Sequence, residues 1–409
     1  MPREDLIASL DIGASKICCL IGTLSKKNDS LDVLGFGVAH HDSLRHGVAV
    51  DIKGLSEAIG LAVFRAEEAC GKKVQSVFFN ISGIHVKGFP AQGEVLIDAN
   101  DNEITKEDIE KVLDNAKSMY MHYERDVVHL IEREFYVDGE GGIVDPKGMF
   151  GSKLAADIYI VTAKISLIDN IKKVIRQAGL TIEGYFLSGI ATSSCLVSKN
   201  ERQLGVVMVD IGADITEIVV FLEGKVSFVK ILPIGGDEIT RTIAEKLRIS
   251  EGIAERIKIE KGNLSVAGSD SGIVVFSNSQ ETVISEKEFK DVLFCAYEEL
   301  FSEIENAINL SGLSQYASSG IVLYGQTVLL EGVLEVAQLV FSLPVRLADS
   351  FSVDNLESDF SASIFATSYG LMKEGQDFRK KRKKLTRIVP KNLVLKLVDK
   401  GRALYKEYF

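Results

Sequence analysis

The sequence predicts an α/β protein: a duplicated α/β domain, interrupted by a small inserted α+β module and ending in a C-terminal amphipathic helix. Three observations predict it. Asp11-Ile-Gly-Ala recurs as Asp210-Ile-Gly-Ala, 199 residues later, each time between two apolar runs. Strand-like and helix-like segments alternate around both copies, the mark of α/β layers. Charge is also split along the chain. The net charge is -11 over 409 residues, yet residues 379–409 hold twelve Lys or Arg against Asp399 and Glu407. That end is +10 and the rest is -21, so an acidic body carries a basic tail that calls for an anionic partner.

Composition bounds the remaining classes. With 46% hydrophobic and 26% charged residues the chain has enough apolar material for a sizeable core, which excludes a wholly disordered protein. No run of 18 uninterrupted apolar residues occurs, so no transmembrane helix is expected. The chain enters a strand-like run at Leu6 without a charged-then-apolar leader, so no export signal is expected either. Cys18, Cys19, Cys70, Cys195 and Cys295 lack CxxC spacing and read as buried free thiols of a reducing cytosol. The six His residues show no metal-ligand spacing, and His40–His41 reads as part of a surface turn.

In chain order, residues 6–22 and 205–221 each read as a β-hairpin whose tight turn is built on Asp and Gly. Their separation is far too long for a solenoid period and points to domain duplication. Residues 55–69 are helix-like and 74–82 a buried strand; 156–163 is another strand, followed by a helix over 167–178. Residues 84–161 have their own pattern. Thr105 and Asp108 make a capping box ahead of an amphipathic helix bearing Ile109, Val112, Leu113 and Ala116, followed by a strand over 127–137 and the turn GIVDPKG. In the second half, 236–304 is mostly helical in pattern, 286–310 is a helix, and 320–324 is a short strand ending at Gly325. Residues 361–373 read as a closing helix, after which comes the run RKKRKK over 379–384.

The last segment follows Pro390. Val394, Leu397, Val398, Gly401, Leu404, Tyr405 and Tyr408 fall on one helical face, with Leu393 and Phe409 beside it. Lys396, Asp399, Lys406 and Glu407 lie opposite, and Lys400 and Arg402 flank the stripe where they can snorkel. This is the pattern of a helix lying in a membrane interface. A helix docked on the acidic body, or a basic run on nucleic acid, are the competing readings; nothing else on the acidic chain supports the second.

The chemistry lies in the repeated turn. A D-x-G hairpin turn presents consecutive backbone N–H groups to a phosphate, and its Asp can hold Mg2+ through water. Two such turns, one per half, would clamp a polyphosphate from both sides. In order along the chain, LDIGASKI, VDIGADITEI, ILPIGGDEIT, AERIK and GIVLYGQTVLLEG resemble the two phosphate segments and the adenosine segment of the actin and sugar-kinase superfamily. More narrowly, the chain resembles the bacterial cell-division actin homologues of the FtsA family. The resemblance includes VQSVFFNISGIHV, the insertion with VVHLIEREFYVDG, and the basic tail.

That resemblance implies an actin-like fold. Subdomain 1A would take residues 1–83, 162–200 and 352–378, and the inserted 1C residues 84–161. Subdomain 2A would take 201–235 and 305–351, 2B would take 236–304, and 379–409 would be a basic linker and membrane-targeting helix. It implies ATP and Mg2+ as ligands, with Asp11 and Asp210 facing the metal and the phosphates. Gly13, Ser15 and Lys16 would form the first phosphate loop, and Gly212 would begin the second. Gly235 and Gly236 would sit at a helix N-terminus whose amides attract anions. Glu255 and Lys258, at i and i+3, would reach ribose or adenine unless they form only a solvated ion pair. Gly325 would stand at the adenosine segment.

Three departures point to weak binding and turnover near background. Ala213, Asp214 and Ile215 stand where small Gly residues and a Thr or Ser are usual, and Asp214 would repel a triphosphate. Gln326 places a Cβ where a Gly-Gly pair is usual. SGIATSSC, residues 188–195, offers no carboxylate or Gln to activate water. The implied role is an adaptor that self-associates head to tail and tethers FtsZ to the inner face of the cell membrane at the division site, with anionic lipids and later division proteins as further partners. An actin-like pilus-assembly adaptor ATPase is the neighbouring alternative, and a small-molecule kinase a third class that lacks its base.

Overall fold

The computed structural model describes residues 6–24, 31–98, 102–118, 123–265, 271–277, 280–348 and 362–388. β1 (Leu6–Ile12) turns back into β2 (Lys16–Leu24), and β3 (Leu31–His40) extends the antiparallel meander. β1 is apolar apart from Ser9 and Asp11 because both its faces are covered: Ala8, Leu10 and Ile12 enter one core and Ile7 another. A two-stranded ribbon of β4 (Leu44–Arg45) and β5 (Val48–Ala49) follows. Asp51 then caps α1 (Ile52–Cys70) by accepting from the Lys53 N–H at 3.0 Å, and Gly71, in the left-handed region, ends it. β6 (Ser76–Ile81) lies parallel beside β1.

The insertion is a separate sheet of β7 (Lys87–Leu96), β8 (Arg125–Val137), β9 (Glu140–Ile143) and β10 (Lys153–Lys164), in the order β7-β10-β8-β9. α2 (Lys106–Ser118) covers one face, burying Val112 and Ala116 in a core with Leu154, Ile158 and Ile160. The Thr105–Asp108 capping box forms: Thr105 Oγ1 donates to Asp108 at 2.6 Å and accepts the Asp108 N–H at 3.3 Å. The insertion is bonded to the second half, where Arg133 donates to the Ser227 carbonyl at 2.6 Å and Tyr159 accepts the Val229 N–H at 2.8 Å. α3 (Ile165–Gln177) and β11 (Thr181–Leu187) return the chain to the first sheet, and α4 (Ser188–Leu196) and α5 (Lys199–Leu204) lead out of it.

The second half begins with β12 (Val206–Ile211), β13 (Thr216–Leu222) and β14 (Lys225–Leu232). α6 (Gly236–Leu247), α7 (Glu251–Lys261), β15 (Gly272–Ser277), β16 (Gln280–Ser285) and the long α8 (Glu286–Leu310) come next. β17 (Ile321–Tyr324), α9 (Val333–Val340) and β18 (Val345–Leu347) complete its sheet. The two large sheets have the same plan, β3-β2-β1-β6-β11 and β14-β13-β12-β17-β18: an antiparallel meander followed by two parallel strands. Val206, Met208, Val219 and Val322 of the second sheet belong to the same contiguous core as β1, α1 and α3, so one core spans both halves.

Two expectations need an addition. Residues 236–304 are mostly helical as read, in α6, α7 and the first part of α8, but GIVVFS and ETVIS add the β15–β16 hairpin, with Val275 and Ile284 buried. Their β-branched residues were the available signal. The closing helix is also longer than expected and takes in the basic run. α10 spans Ala362–Ile388, well past residue 373, since RKKRKK contains neither Gly nor Pro and is made of good helix formers. Arg379 is bonded to the body: its guanidinium pairs with Glu183 at both carboxylate oxygens and donates to the Leu6 carbonyl at 2.9 Å. The membrane-binding residues expected from the sequence (Val394, Leu397, Val398, Leu404, Tyr405 and Tyr408) lie outside the described residues.

Candidate functional site

The two Asp-Ile-Gly-Ala turns have the same hydrogen bond, Gly13 N–H to the Lys16 carbonyl at 3.0 Å and Gly212 N–H to the Ile215 carbonyl at 2.9 Å. Both turns open on one cleft of about 530 Å3 between the halves, a volume suited to a small-molecule ligand. Asp11, Gly13, Ser15, Lys16, Asp210, Gly212, Gly236, Glu255, Lys258 and Gly325 all line it, and Gly235 immediately precedes the lining residue Gly236. The sequence singled out these residues from five separate stretches, and the fold brings them together.

Electrostatics set the floor of this cleft. Asp11 and Asp210 keep an edge on the cleft but are otherwise enclosed by protein. Burial raises Asp11 to about 6, with Lys16 pulling the other way. Burial, then the charges of Glu217 and Asp11, raise Asp210 to about 8. Lys16 in turn is lowered by burial. Ligand-free, the pocket is rich in carboxylates whose charged forms want a cation. Among the described residues no group of three or more His, Cys, Asp or Glu is placed to hold a metal. A Mg2+ bound at Asp11 and Asp210 would therefore complete its shell with water and phosphate oxygens, the manner usual for this ion. The donor set fits it.

Three groups that the sequence reading passed over organise the site. Asn80, on β6, donates to Asp11 Oδ1 at 2.9 Å and to Ser188 Oγ at 2.7 Å, and accepts the Ile12 N–H at 2.7 Å. Thr327 donates to the Gly212 carbonyl at 3.1 Å. Glu217, on β13, accepts from Ser82 Oγ at 2.6 Å and from the Gly189 N–H at 2.6 Å, and burial raises it to about 7. Residues 188–195 themselves supply no carboxylate, but Glu217 is bonded to Gly189, so the cleft does contain one. It was legible as an acid inside the otherwise apolar run TEIVVF.

Other expected residues are placed as read but engaged differently. Gly235 is the N-cap of α6, where an added Cβ would meet the Ala213 carbonyl at 2.5 Å. The Gly236 and Asp237 amides donate to the carbonyls of Gly212 and Ala213 at 3.0 and 2.8 Å, so these two hold the second turn instead of facing an anion. Lys258 and Glu255 pair with each other at 2.6 Å, and Lys258 also donates to Thr240 Oγ1 at 2.6 Å and to the Gly236 carbonyl at 3.0 Å. Gly325 has φ +107, and a Cβ there would lie 2.2 Å from the Ile211 carbonyl; Gln326 follows, exposed at the cleft. Asp214 is not free to point at a ligand, because its carboxylate accepts the His46 N–H from across the cleft.

The comparisons with known proteins bear on this arrangement. A family model described as the SHS2 domain inserted in FtsA matches residues 83–162, and one described as cell division protein FtsA matches 207–370. The chain is 32% identical over 374 residues to cell division protein FtsA of Pseudomonas aeruginosa, covering 90% of this chain and 89% of that one. The chain belongs to the FtsA family of cell-division proteins. FtsA of Borreliella burgdorferi is 30% identical over 401 residues, 96% of each chain. Among solved structures, a PilM–PilN type IV pilus biogenesis complex superposes with TM-score 0.65 at 17% identity over 90% of this chain and 98% of that one. MreB5 of Spiroplasma citri bound to AMPPNP does so with TM-score 0.54 at 13% identity over 94% and 99%. These likenesses show the actin-like fold alone. Sequence identity is what places the chain among FtsA proteins rather than pilus adaptors. No helix among the described residues is long and apolar enough to cross a membrane.

Proposed function

We propose that this FtsA-family chain is a cell-division adaptor on the cytoplasmic side of the bacterial inner membrane, where it self-assembles head to tail and tethers the FtsZ ring to the lipid surface at the division site. The observation that carries this reading is the pairing of a family-wide match with a basic end: α10 continues through RKKRKK, and a further basic, amphipathic stretch follows in the sequence. Each basic residue near an anionic leaflet contributes about 1 kcal/mol at low salt. Arg379 is bonded to Glu183, and the basic run continues beyond it through residues 380–384. Residues 236–304 are the proposed FtsZ contact, and the insertion the proposed self-association module.

The same reading gives the cleft weak Mg-ATP binding. Gly13, Ser15, Lys16 and Gly212 would cradle phosphate, Asp11 and Asp210 would hold Mg2+, and Gly325 would border the adenosine. Bound Mg2+ would supply the charge neutralisation that the buried carboxyls of Asp11 and Asp210 lack. Turnover would be near background, with Glu217 already committed to Ser82 and Gly189.

Co-sedimentation tests the adaptor. The full chain should pellet with anionic vesicles and carry FtsZ with it. Truncation after Ile388, which spares the Arg379–Glu183 bond, should stay soluble, bind FtsZ and no longer pellet at physiological salt, because the basic run without the apolar stripe after Pro390 gives no stable anchoring. Leu397→Glu should behave nearly the same. Equal pelleting of the truncated and intact chains would overturn the membrane reading.

A further inference from the structure

The two turns differ at one position that matters for a phosphate. After Asp-Ile-Gly-Ala the first continues with Ser15 and the second with Asp214. The Asp214 side chain is 12% exposed, lines the cleft, and is near enough to Asp237 that its charge, after burial, raises that carboxyl. An acid there opposes a polyphosphate. The structure shows what restrains it. Asp214 accepts the His46 N–H, His46 Nδ1 lies 3.1 Å from the Asp214 carbonyl, and the same nitrogen is 3.8 Å from Asp214 Oδ2.

His46 holds this place at a cost. It is the first of two left-handed residues, φ 47 at His46 and φ 80 at Gly47, in the two-residue turn between β4 and β5. Such turns favour Asn-Gly or Asp-Gly, and a His in that region is strained by about a kcal/mol. The turn is fixed from below, since the Ile84 N–H donates to the His46 carbonyl at 3.3 Å and a Cβ on Gly47 would lie 2.2 Å from the Ser82 carbonyl. A strained residue on a rigid support, reaching 168 positions along the chain to the acid that stands where the first turn has Ser15, is placed for that acid.

We propose that His46 is a positioning residue for the phosphate end of the cleft: its backbone N–H binds the Asp214 carboxylate and its ring lies against the Asp214 carbonyl, together holding the acid toward the β4–β5 ribbon, so that a turn carrying an acid still admits a nucleoside triphosphate. This rests on the nucleotide reading above. The charge penalty falls hardest on the ligand with the most phosphate charge, so the pair governs the ratio of triphosphate to diphosphate affinity.

The test is a double-mutant cycle on the full chain, titrating Mg-ATP and Mg-ADP by calorimetry. His46→Gly keeps the left-handed turn and the backbone N–H while removing the ring. It should weaken Mg-ATP about fivefold and Mg-ADP distinctly less. In an Asp214→Ala or Asp214→Asn background the same change should do nothing, and thermal unfolding of all variants verifies that they are folded. Equal losses for His46→Gly with and without the Asp214 carboxylate would mean a merely structural turn and overturn the inference, as would no loss with Asp214 present. If wild type and all variants fail to bind Mg-ATP, the nucleotide reading itself falls, and this inference with it.

Discussion

The two Asp-Ile-Gly hairpins are the same object in different surroundings. In the first, Asp11 stands opposite Cys18 across the hairpin and its parallel neighbour is β6, which brings Asn80 and its amide. In the second, Asp210 stands opposite Glu217, and its parallel neighbour on β17 is Tyr324. Lys16 follows the first turn, and Ile215 holds the same place in the second. One aspartate thus has an amide donor beside it, whereas the other faces a carboxylate. Burial raises both and Lys16 opposes it at both, but the charges of Glu217 and Asp11 add to burial at Asp210, so the same residue in the same turn is raised to about 6 in one copy and about 8 in the other. Duplication supplies the geometry of a clamp, and divergence of the neighbours makes its two jaws electrically unequal.

The largest expected break in the comparison is steric. Gly325→Ala forces a left-handed backbone and a Cβ 2.2 Å from the Ile211 carbonyl, at the root of the second turn. It should cost about 3 kcal/mol or more of unfolding free energy. Gly13→Ala in the first turn meets only the Lys16 carbonyl at 3.2 Å and should cost about 1 kcal/mol or less. Urea denaturation of the two variants reads the difference; similar losses would mean that the Gly325 backbone packed against the second turn is no more constrained than the first turn.

The next effect is in pH. Asp11, Asp210 and Glu217 all have folded pKa values above their ordinary ones, so their contribution to stability is full below about pH 4 and is lost as pH rises through about 6 to 8. The ligand-free protein should therefore lose on the order of a few kcal/mol from this cluster between pH 5 and 8. Asp210→Asn should flatten that slope more than Asp11→Asn does, because Asp210 is raised further. Denaturant midpoints across that range measure it, and equal slopes in the two variants would contradict the unequal jaws.

A smaller effect sharpens the electrostatic difference. Lys16→Met should raise the Asp11 pKa further, since Lys16 opposes the effect of burial, and it should weaken Mg-ATP about tenfold by removing the cation of the first turn. Carboxyl carbon NMR and calorimetry read the two consequences separately. The smallest effect is Ser82→Ala, which removes one donor from Glu217, should raise that carboxyl above about 7 and should cost about 1 kcal/mol. An unmoved Glu217 resonance would show that the bond between the halves contributes nothing.

Much of this was readable before folding. The 199-residue repeat marked both turns, the period of Ile109, Val112 and Ala116 marked α2, and the capping box marked its start. The β15–β16 hairpin was missed because short β-branched runs flanked by helices carry little periodicity. Glu217 and Asn80 were missed for a different reason: each is one polar residue in an apolar strand, and its meaning depends on which strand lies alongside.

The sequence by itself determined the duplicated turns, the strand and helix order that builds two like sheets, and the charge division between body and end. These are local properties, set by residue type, spacing and backbone preference. Only the tertiary structure decided that Asp214 would be held by His46, that Arg379 would be bonded to Glu183, and that Glu217 would bridge to Ser82 and Gly189. Each of these pairs is separated by 28 to 196 positions in the chain. Contacts of that span are made by packed sheets and one shared core, so a carboxylate's partner, and with it its charge, is settled only when the halves close on each other.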